Sequence, residues 1–217
     1  MIGSRSVAVL KVVEGTVSEV FGPTPLFSVP SERFQERDRN PGSGSCARSM
    51  PDSSTSRTRS FRWPDPARFV EPIQKLSGLE FMRAFLTGEL PSPPFMEVLG
   101  IRIVSVEPGS VVFEFDPAEY MYSPLGNVHG GIVTVLLDSA MGCSFHTTLP
   151  AGVGYTTLEL KVNFLRPVTS KVGTLRAEGH VVHSGSRVAT TDARLLDREK
   201  KLHAHATSTL LILRPES

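Results

Sequence analysis

Cysteine is scarce in this sequence, and so are long uninterrupted apolar runs. Cys46 and Cys143 are the only cysteines among 217 residues, which is too few for the disulfide framework of a small secreted domain. Prolines, glycines and histidines break up the weakly charged stretches, so we expect no transmembrane span. Near the N-terminus, Lys11, Glu14 and Glu19 interrupt or follow a short apolar stretch, unlike a secretory signal. We therefore expect a cytoplasmic protein.

Excess charge of either sign is also missing. The sequence has 23 Lys and Arg residues against 22 Asp and Glu residues, which gives a net charge of +1. Such a balance lacks the positive surplus by which proteins attract nucleic acids or anionic membranes, so we expect neither partner. With 40% apolar and 21% charged residues, the composition is that of a globular protein.

The first part of the chain differs in composition from the rest. Residues 31–60 are rich in Arg, Ser, Pro, Gly and Asp and contain few residues that a core would bury, so we expect disorder there. Met50 lies close to the start of the ordered part, and we interpret the first 49 residues as an extension that the fold does not need. The chain is thus predicted to consist of a disordered or extension segment, 1–65, and one domain, 66–217.

The early part of this domain carries signals for one helix and one hairpin. Ser77 and Glu80 have the spacing of a capping box, which predicts a helix that ends before the prolines at 91–94. Two β-branched and aromatic runs follow, Val98–Val106 and Ser110–Phe115. The turn sequence Glu107–Gly109 between them predicts a β-hairpin.

Four further strands are predicted in the C-terminal part of the chain. They are Tyr155–Leu165, Val172–His183, Arg187–Leu196 and Leu202–Leu213. Their short, turn-like connections predict an antiparallel meander. In the first of them, alternation predicts a buried face made by Leu158, Leu160, Val162 and Phe164.

A single full charge, Asp138, lies between residues 119 and 159. Apolar residues at helical spacing predict a helix over about His129–Thr147, and its other face is apolar enough that we expect burial on all sides. A carboxylate in that environment is costly unless it has a partner or a role, which makes Asp138 a catalytic candidate. At the start of the helix, Gly130 and Gly131 leave backbone N–H groups open to a developing negative charge.

The spacing of these two candidate groups has a consequence for assembly. Gly130 and Asp138 are eight residues apart, which is roughly 12 Å at the 1.5 Å rise of an α-helix. One reacting carbon cannot lie within about 3 Å of both groups in one chain. If both act on it, they come from two chains, which predicts a homodimer or a dimer of dimers.

Tyr122–Gly131, taken with Leu137–Ala140, resembles the signature of the PaaI-type hotdog acyl-CoA thioesterases. The segment Thr156–Pro167 is similar to the strand that follows in that family. The likeness covers about residues 75–213. It implies an α+β hotdog fold, in which a curved antiparallel β-sheet wraps a long central helix, here preceded by an N-terminal helix.

The resemblance also implies an activity and a set of catalytic residues. The activity is hydrolysis of acyl-CoA thioesters to the free acid and coenzyme A. The Gly130 N–H would polarise the thioester carbonyl, and His129 would help to order the site. Asp138 would activate a water or attack directly, with Thr157 placing the water. Ser123 stands where family members usually carry an asparagine that assists carbonyl polarisation.

A further segment is implied to hold the nucleotide end of coenzyme A. It comprises His183, Ser184, Gly185, Ser186, Arg187 and Val188. Coenzyme A is part of the substrate, so no separate cofactor is expected, and no metal.

Other interpretations of these residues remain open at this point. A hotdog module that binds acyl-CoA without turnover, as a ligand sensor, is the main alternative, and a hotdog dehydratase is another. Cys143 and His146 have the spacing of a nucleophile pair, although a small buried apolar role for the cysteine is favoured. His203 and His205 share one face of a strand, where two ligands alone do not define a metal site.

Overall fold

The computed structural model describes residues 57–215. Two predictions concern residues outside this range: disorder before residue 57, and an extension at residues 1–49 that the fold does not need. Residues 57–65 have no regular secondary structure. Arg57 nevertheless forms an ion pair with Glu119 at 2.9 Å, and the Arg59 guanidinium lies 4.0 Å from the centre of the Tyr120 ring. Packing contacts therefore begin before Pro66, where we placed the start of the domain.

Three short helices precede the sheet. A 3-10 turn at Pro66–Phe69 leads into α1 (Val70–Lys75), followed by α2 (Gly78–Thr87) and α3 (Pro94–Leu99). The capping box at the start of α2 is confirmed, because the backbone and side chain of Ser77 exchange hydrogen bonds with those of Glu80. The sequence prediction missed α3 and wrongly assigned its residue Val98 to a strand. Prolines that end one helix also favour the first turn of the next.

The sheet contains six antiparallel strands. They are β1 (Ile101–Glu107), β2 (Ser110–Phe115), β3 (Gly154–Phe164), β4 (Leu175–Ser184), β5 (Val188–Leu196) and β6 (Leu202–Leu213). Their order is β1-β2-β4-β5-β6-β3. The antiparallel prediction is confirmed, but the simple meander is wrong, because β3 pairs with β6 at the edge of the sheet. The connection at 165–174 is long enough to pass three strand spacings, about 14 Å.

The long helix α4 (Gly130–His146) lies against the inner face of this sheet, as predicted. Its side chains Leu136, Leu137 and Phe145 are fully buried. Gly179 of β4 lies so close that a Cβ atom there would be 2.1 Å from the carbonyl oxygen of Ala140. A long helix wrapped by a six-stranded antiparallel sheet is the predicted architecture. Among residues 57–215, no helix is both long and apolar enough to cross a membrane.

The prediction that α4 is buried on all sides is wrong for a single chain. Gly131 is exposed, Val135 is 38% exposed, and Asp138 is half-buried. The sheet covers only the opposite face of the helix. The prediction failed because the open face also carries apolar residues, which one chain leaves exposed.

A β-bulge changes the inward face of β3. The register shifts between Thr157, opposite Leu210, and Glu159, opposite Thr209, so Leu158 is an extra residue. Leu158 is consequently 57% exposed, whereas the predicted alternation buried it. Phe164, also predicted to be buried, ends the strand and is 56% exposed. The same bulge leaves Thr157 half-buried on the side that faces α4.

Candidate active site

The first turn of α4 keeps one backbone donor free. His129 is the N-cap, and its Nδ1 accepts a hydrogen bond from the Gly131 N–H at 3.0 Å. In the neutral ring the proton is therefore on Nε2. Gly130 is the first helical residue, so its N–H has no acceptor within the helix. By capping one donor, the imidazole leaves the neighbouring N–H available for a substrate oxygen.

A cavity of about 340 Å³ opens beside this free donor. Its walls include Asn127, Gly130, Phe164, Arg166 and His203. A Cβ atom on Gly130 would lie 3.2 Å from Cζ of Phe164, so glycine gives the backbone and the ring room to approach. A small ligand in the cavity can therefore approach the start of α4, because residue 130 has no side chain to block it.

Ser123 lies in the loop before α4, and its hydroxyl is engaged inside that loop. Its Oγ donates to Oδ1 of Asn127 at 2.9 Å and accepts from the Leu125 N–H at 3.3 Å. The Ser123 N–H also donates to the Asn127 carbonyl at 2.7 Å. The structure therefore places the Ser123 hydroxyl on Asn127, a contact for which the sequence pattern held no signal.

Asp138 and Thr157, predicted to act together, are in contact. The Thr157 hydroxyl donates to Oδ1 of Asp138 at 3.0 Å. The second carboxylate oxygen has no partner among the described residues. A half-buried carboxylate with one oxygen held and the other open is suited to bind and deprotonate a water.

Next to Asp138 on α4, the thiol of Cys143 is not activated. Burial, assisted by the charge of Asp138, raises the pKa of the Cys143 thiol to about 12. Burial likewise raises the pKa of Tyr155 well above its usual range. Both groups thus remain protonated near neutral pH, which argues against the nucleophile interpretation of Cys143 and His146.

Sequence reasoning missed an apolar cavity between the N-terminal helices and the sheet. It has a volume of about 240 Å³. Phe and Tyr residues make up nearly half of its lining: Phe69, Phe81, Phe85, Phe95, Phe113 and Tyr155. His146 also lines it, with a pKa that burial lowers and an Nδ1 that has no partner among residues 57–215. No single segment signals this cavity, because α1, α2, α3, the sheet and α4 each contribute only a few of its side chains.

The turn predicted to hold the nucleotide connects β4 and β5. Ser184, Ser186 and Arg187 are exposed, and the Gly185 N–H donates to the Val188 carbonyl at 2.9 Å. His183 and Val188 are exposed as well. Val188 lies opposite Leu211 on β6, next to the Leu210 that pairs with Thr157. The turn therefore lies at the end of the sheet where Thr157 contacts Asp138.

The structure thus divides the predicted site residues into two groups. Ser123, His129 and Gly130 lie at the start of α4, whereas Asp138, Thr157 and the 183–188 turn lie further along. Since α4 is continuous from Gly130 to His146, Gly130 and Asp138 are about 12 Å apart along its axis. One chain does not bring them together.

The two histidines of β6 do not form a metal site. His203 is 5% exposed, and its Nε2 lies 3.3 Å from Oδ2 of Asp197. Within residues 57–215, no three His, Cys, Asp or Glu side chains converge as metal ligands would. His203 pairs instead with the carboxylate that also accepts the Glu199 and Lys201 N–H groups of the β5–β6 turn.

Comparison with known proteins places this chain in a known group. The pattern of the thioesterase superfamily matches residues 125–204. The 1,4-dihydroxy-2-naphthoyl-CoA hydrolase of Listeria monocytogenes is 27% identical over 116 residues, which are 54% of this chain and 93% of that protein.

Two solved structures are similar over most of their length. A provisionally named thioesterase related to phenylacetic acid degradation, from Ralstonia eutropha JMP134, is 30% identical with a TM-score of 0.54, covering 59% of this chain and 97% of that one. The Escherichia coli PaaI protein of the phenylacetic acid degradation operon is 24% identical with a TM-score of 0.55, covering 66% and 98%. The latter likeness is one of fold.

Proposed function

Because the chain belongs to the thioesterase superfamily, as a PaaI-type hotdog thioesterase, we propose that it hydrolyses acyl-CoA thioesters to free acids and coenzyme A. The family, the fold and the expectation of an enzyme that the sequence predicted are confirmed. The observation that carries the proposal for this substrate and these residues is the contact between Asp138 and Thr157. A threonine-held carboxylate on the open face of α4 can accept a proton from a bound water.

The proposed reaction uses the free groups at the start and in the middle of α4. A water held by Asp138 and Thr157 gives its proton to the Asp138 carboxylate as its oxygen attacks the thioester carbon. The Gly130 N–H donates to the oxyanion that forms, and one such donor typically stabilises it by about 3–4 kcal/mol. The C–S bond then breaks, and the coenzyme A thiolate takes up a proton. Direct attack by Asp138, through an anhydride, remains the other form of the same proposal.

Both groups reach one carbonyl if two chains share each site. The edge strand β3 supports such a dimer, because Leu158 and Phe164 on it, and Leu165 directly after it, are each more than half exposed. Large exposed apolar side chains along the free edge of a sheet favour pairing with a second chain.

A twofold axis near Leu160 would place opposite charges side by side and would bring the two halves of each site together. Antiparallel pairing of two β3 strands there sets Glu159 beside Lys161 of the partner subunit, with opposite charges adjacent. It also brings the Phe164 end of one strand, next to Gly130, toward the Thr157 end of the other. Each Gly130 then faces the Asp138 of the partner subunit.

The apolar cavity supports a compact apolar or aromatic acyl group. Tyr155 and Cys143 line it, and a Cβ atom on Gly142, one turn after Asp138, would lie 2.5 Å from the Tyr155 hydroxyl. The cavity therefore begins next to the proposed water. Its volume of about 240 Å³ suits one ring system or a medium-length chain better than a long fatty acid.

Release of free thiol from a panel of acyl-CoAs tests the proposal. The wild type should release thiol, fastest from compact aromatic or medium-chain substrates. Asp138→Asn keeps an oxygen for the Thr157 hydroxyl but removes the proton acceptor, so kcat should fall by about 10²–10⁴-fold. Asp192→Asn makes the same change on the outer face of the sheet and should leave kcat unaltered.

Two outcomes contradict the proposal. If the wild type binds acyl-CoAs but releases thiol from none of those in the panel, the protein is a binding module. Equal turnover in wild type and Asp138→Asn removes Asp138 from the mechanism.

A further inference from the structure

We propose that the Asn127 side chain is a catalytic residue, whose amide N–H donates to the thioester carbonyl beside the Gly130 N–H. Ser123 is then the positioning residue that orients this amide. The inference rests on the proposed thioester hydrolysis and assigns to Asn127 a role that the sequence had led us to seek at Ser123.

The hydrogen bonds of Ser123 fix which way the Asn127 amide faces. Its Oγ accepts from the Leu125 N–H and donates to Oδ1 of Asn127 at 2.9 Å. The structure thus places the acceptor oxygen of the amide, which has no hydrogen to donate, toward Ser123. The Nδ2 group therefore faces away from Ser123, and its two N–H donors have no partner among residues 57–215.

Asn127 and Gly130 line the same cavity of about 340 Å³. They are three residues apart on either side of the N-cap, and Asn127 is half-buried, so its donors are accessible without being fully solvated. Another wall of the cavity carries His203, which is 5% exposed and has an Nδ1 without a partner among the described residues. Polar groups left unpaired around a cavity favour a ligand there.

Two donors from different directions match the charge of the oxyanion better than one. A developing oxyanion has several lone pairs, and oxyanion holes commonly combine a backbone N–H with a side-chain amide. The hydroxyl of Ser123 is already engaged by Asn127 and by the Leu125 N–H within its own loop. By orienting Asn127, it delivers an amide to the cavity.

Three single substitutions separate the donor from its support. In Asn127→Asp, a carboxylate oxygen still accepts from Ser123, so the loop contact is kept, while the N–H donors are lost and a negative charge takes their place. Asn127→Ala removes both the donors and the contact. Ser123→Ala removes the contact and keeps the donors. Thiol release by each purified full-length protein gives kcat and KM, and thermal melting monitors the fold.

We expect Asn127→Asp to lower kcat by about 10²–10³-fold with KM nearly unchanged and an unaltered melting temperature. In Ser123→Ala, kcat should fall by about tenfold at most, because the Asn127 amide is no longer held but is still present. A second amide should rescue the defect: Ser123→Asn, combined with Asn127→Ala, should recover at least about tenfold over Asn127→Ala alone.

A kcat of Asn127→Asp within about threefold of wild type overturns the inference. So does a loss that appears equally in Ser123→Ala and tracks the melting temperature, since that is the pattern of a loop contact. These results leave the proposed function intact whenever the wild type, assayed in parallel, releases thiol. A wild type without activity overturns the function and this inference together.

Discussion

At the scale of single residues, hydrogen bonds decide which groups near α4 remain free for chemistry. His129 caps the Gly131 N–H and leaves that of Gly130 open. Thr157 holds one oxygen of Asp138 and leaves the other. The sequence could indicate Asp138, because a lone charge among apolar residues stands out, and Gly130, because glycines precede a helix. It could not indicate the Asn127 contact, since no pattern encodes which way a loop side chain turns.

Cys143 allows a prediction that follows from its pKa of about 12. The thiolate is the reactive form, so a raised pKa keeps the thiol protonated and inert until the pH approaches that value. At pH 8 only about 10⁻⁴ of the thiol is ionised, against roughly a quarter in an unfolded chain with a pKa of about 8.5. Iodoacetamide should therefore alkylate Cys143 at least about a hundredfold more slowly in the native protein than in urea.

Cys46→Ser makes Cys143 the only cysteine, so that mass spectrometry follows one thiol. Native alkylation at pH 8 that matches the rate in urea would mean an activated thiol. It would also reopen the nucleophile interpretation of the Cys143 and His146 pair.

At the scale of elements, locally encoded features were predictable and pairings across the chain were not. The capping box of α2 and the extent of α4 depend on neighbouring residues, and both agree with the structure. The partner of β3 and its bulge depend on β6, about 50 residues away, so alternation alone assigned Leu158 to the wrong face. That bulge matters for the proposed mechanism, because it allows Thr157 to face Asp138.

Close packing of β4 on α4 predicts that Gly179→Ala is strongly destabilising. Its Cβ atom would lie 2.1 Å from the backbone oxygen of Ala140, so the strand and the helix must separate. Overpacking of this kind typically costs about 1–3 kcal/mol, occasionally more, which for a domain of this size lowers the melting temperature by roughly 2–4 °C per kcal/mol.

Gly154→Ala is the matched control for that measurement. Its Cβ atom would meet only Cβ of Leu213, at 4.0 Å, so its melting temperature should stay near that of the wild type. If Gly179→Ala melts within a degree of this control, the backbone contact is looser than the structure indicates.

At the scale of the whole molecule, one chain contains both halves of the proposed site but does not bring them together. α4 keeps Gly130 and Asp138 about 12 Å apart, and the exposed edge of β3 offers a surface for a second copy. The family and the wrapped-helix fold were predictable from the Gly130 and Asp138 motif and its flanking strands. The exposure of one face of α4 was not predictable, because the apolar residues on that face have the sequence pattern of a buried helix.

Two inactive variants make the shared site testable. Asp138→Ala removes the proton acceptor. Gly130→Pro removes the N–H at a position where proline is tolerated, since His129 has φ −59° and ψ 133° and suits a residue before proline. The Phe164 ring over residue 130 is 56% exposed and can move aside. Gly130→Ala adds a comparable Cβ atom but keeps the N–H, and should retain much more activity than Gly130→Pro.

The most direct measurement is thiol release after the two inactive proteins are unfolded and refolded together. If each site combines Gly130 of one chain with Asp138 of the other, a mixed dimer has one site with both defects and one with neither. Random pairing makes about half of the dimers mixed, so activity should recover to roughly a quarter of wild type. Verified mixed dimers that remain inactive would contradict the account, because both groups would then act within one chain or Asp138 would not be catalytic.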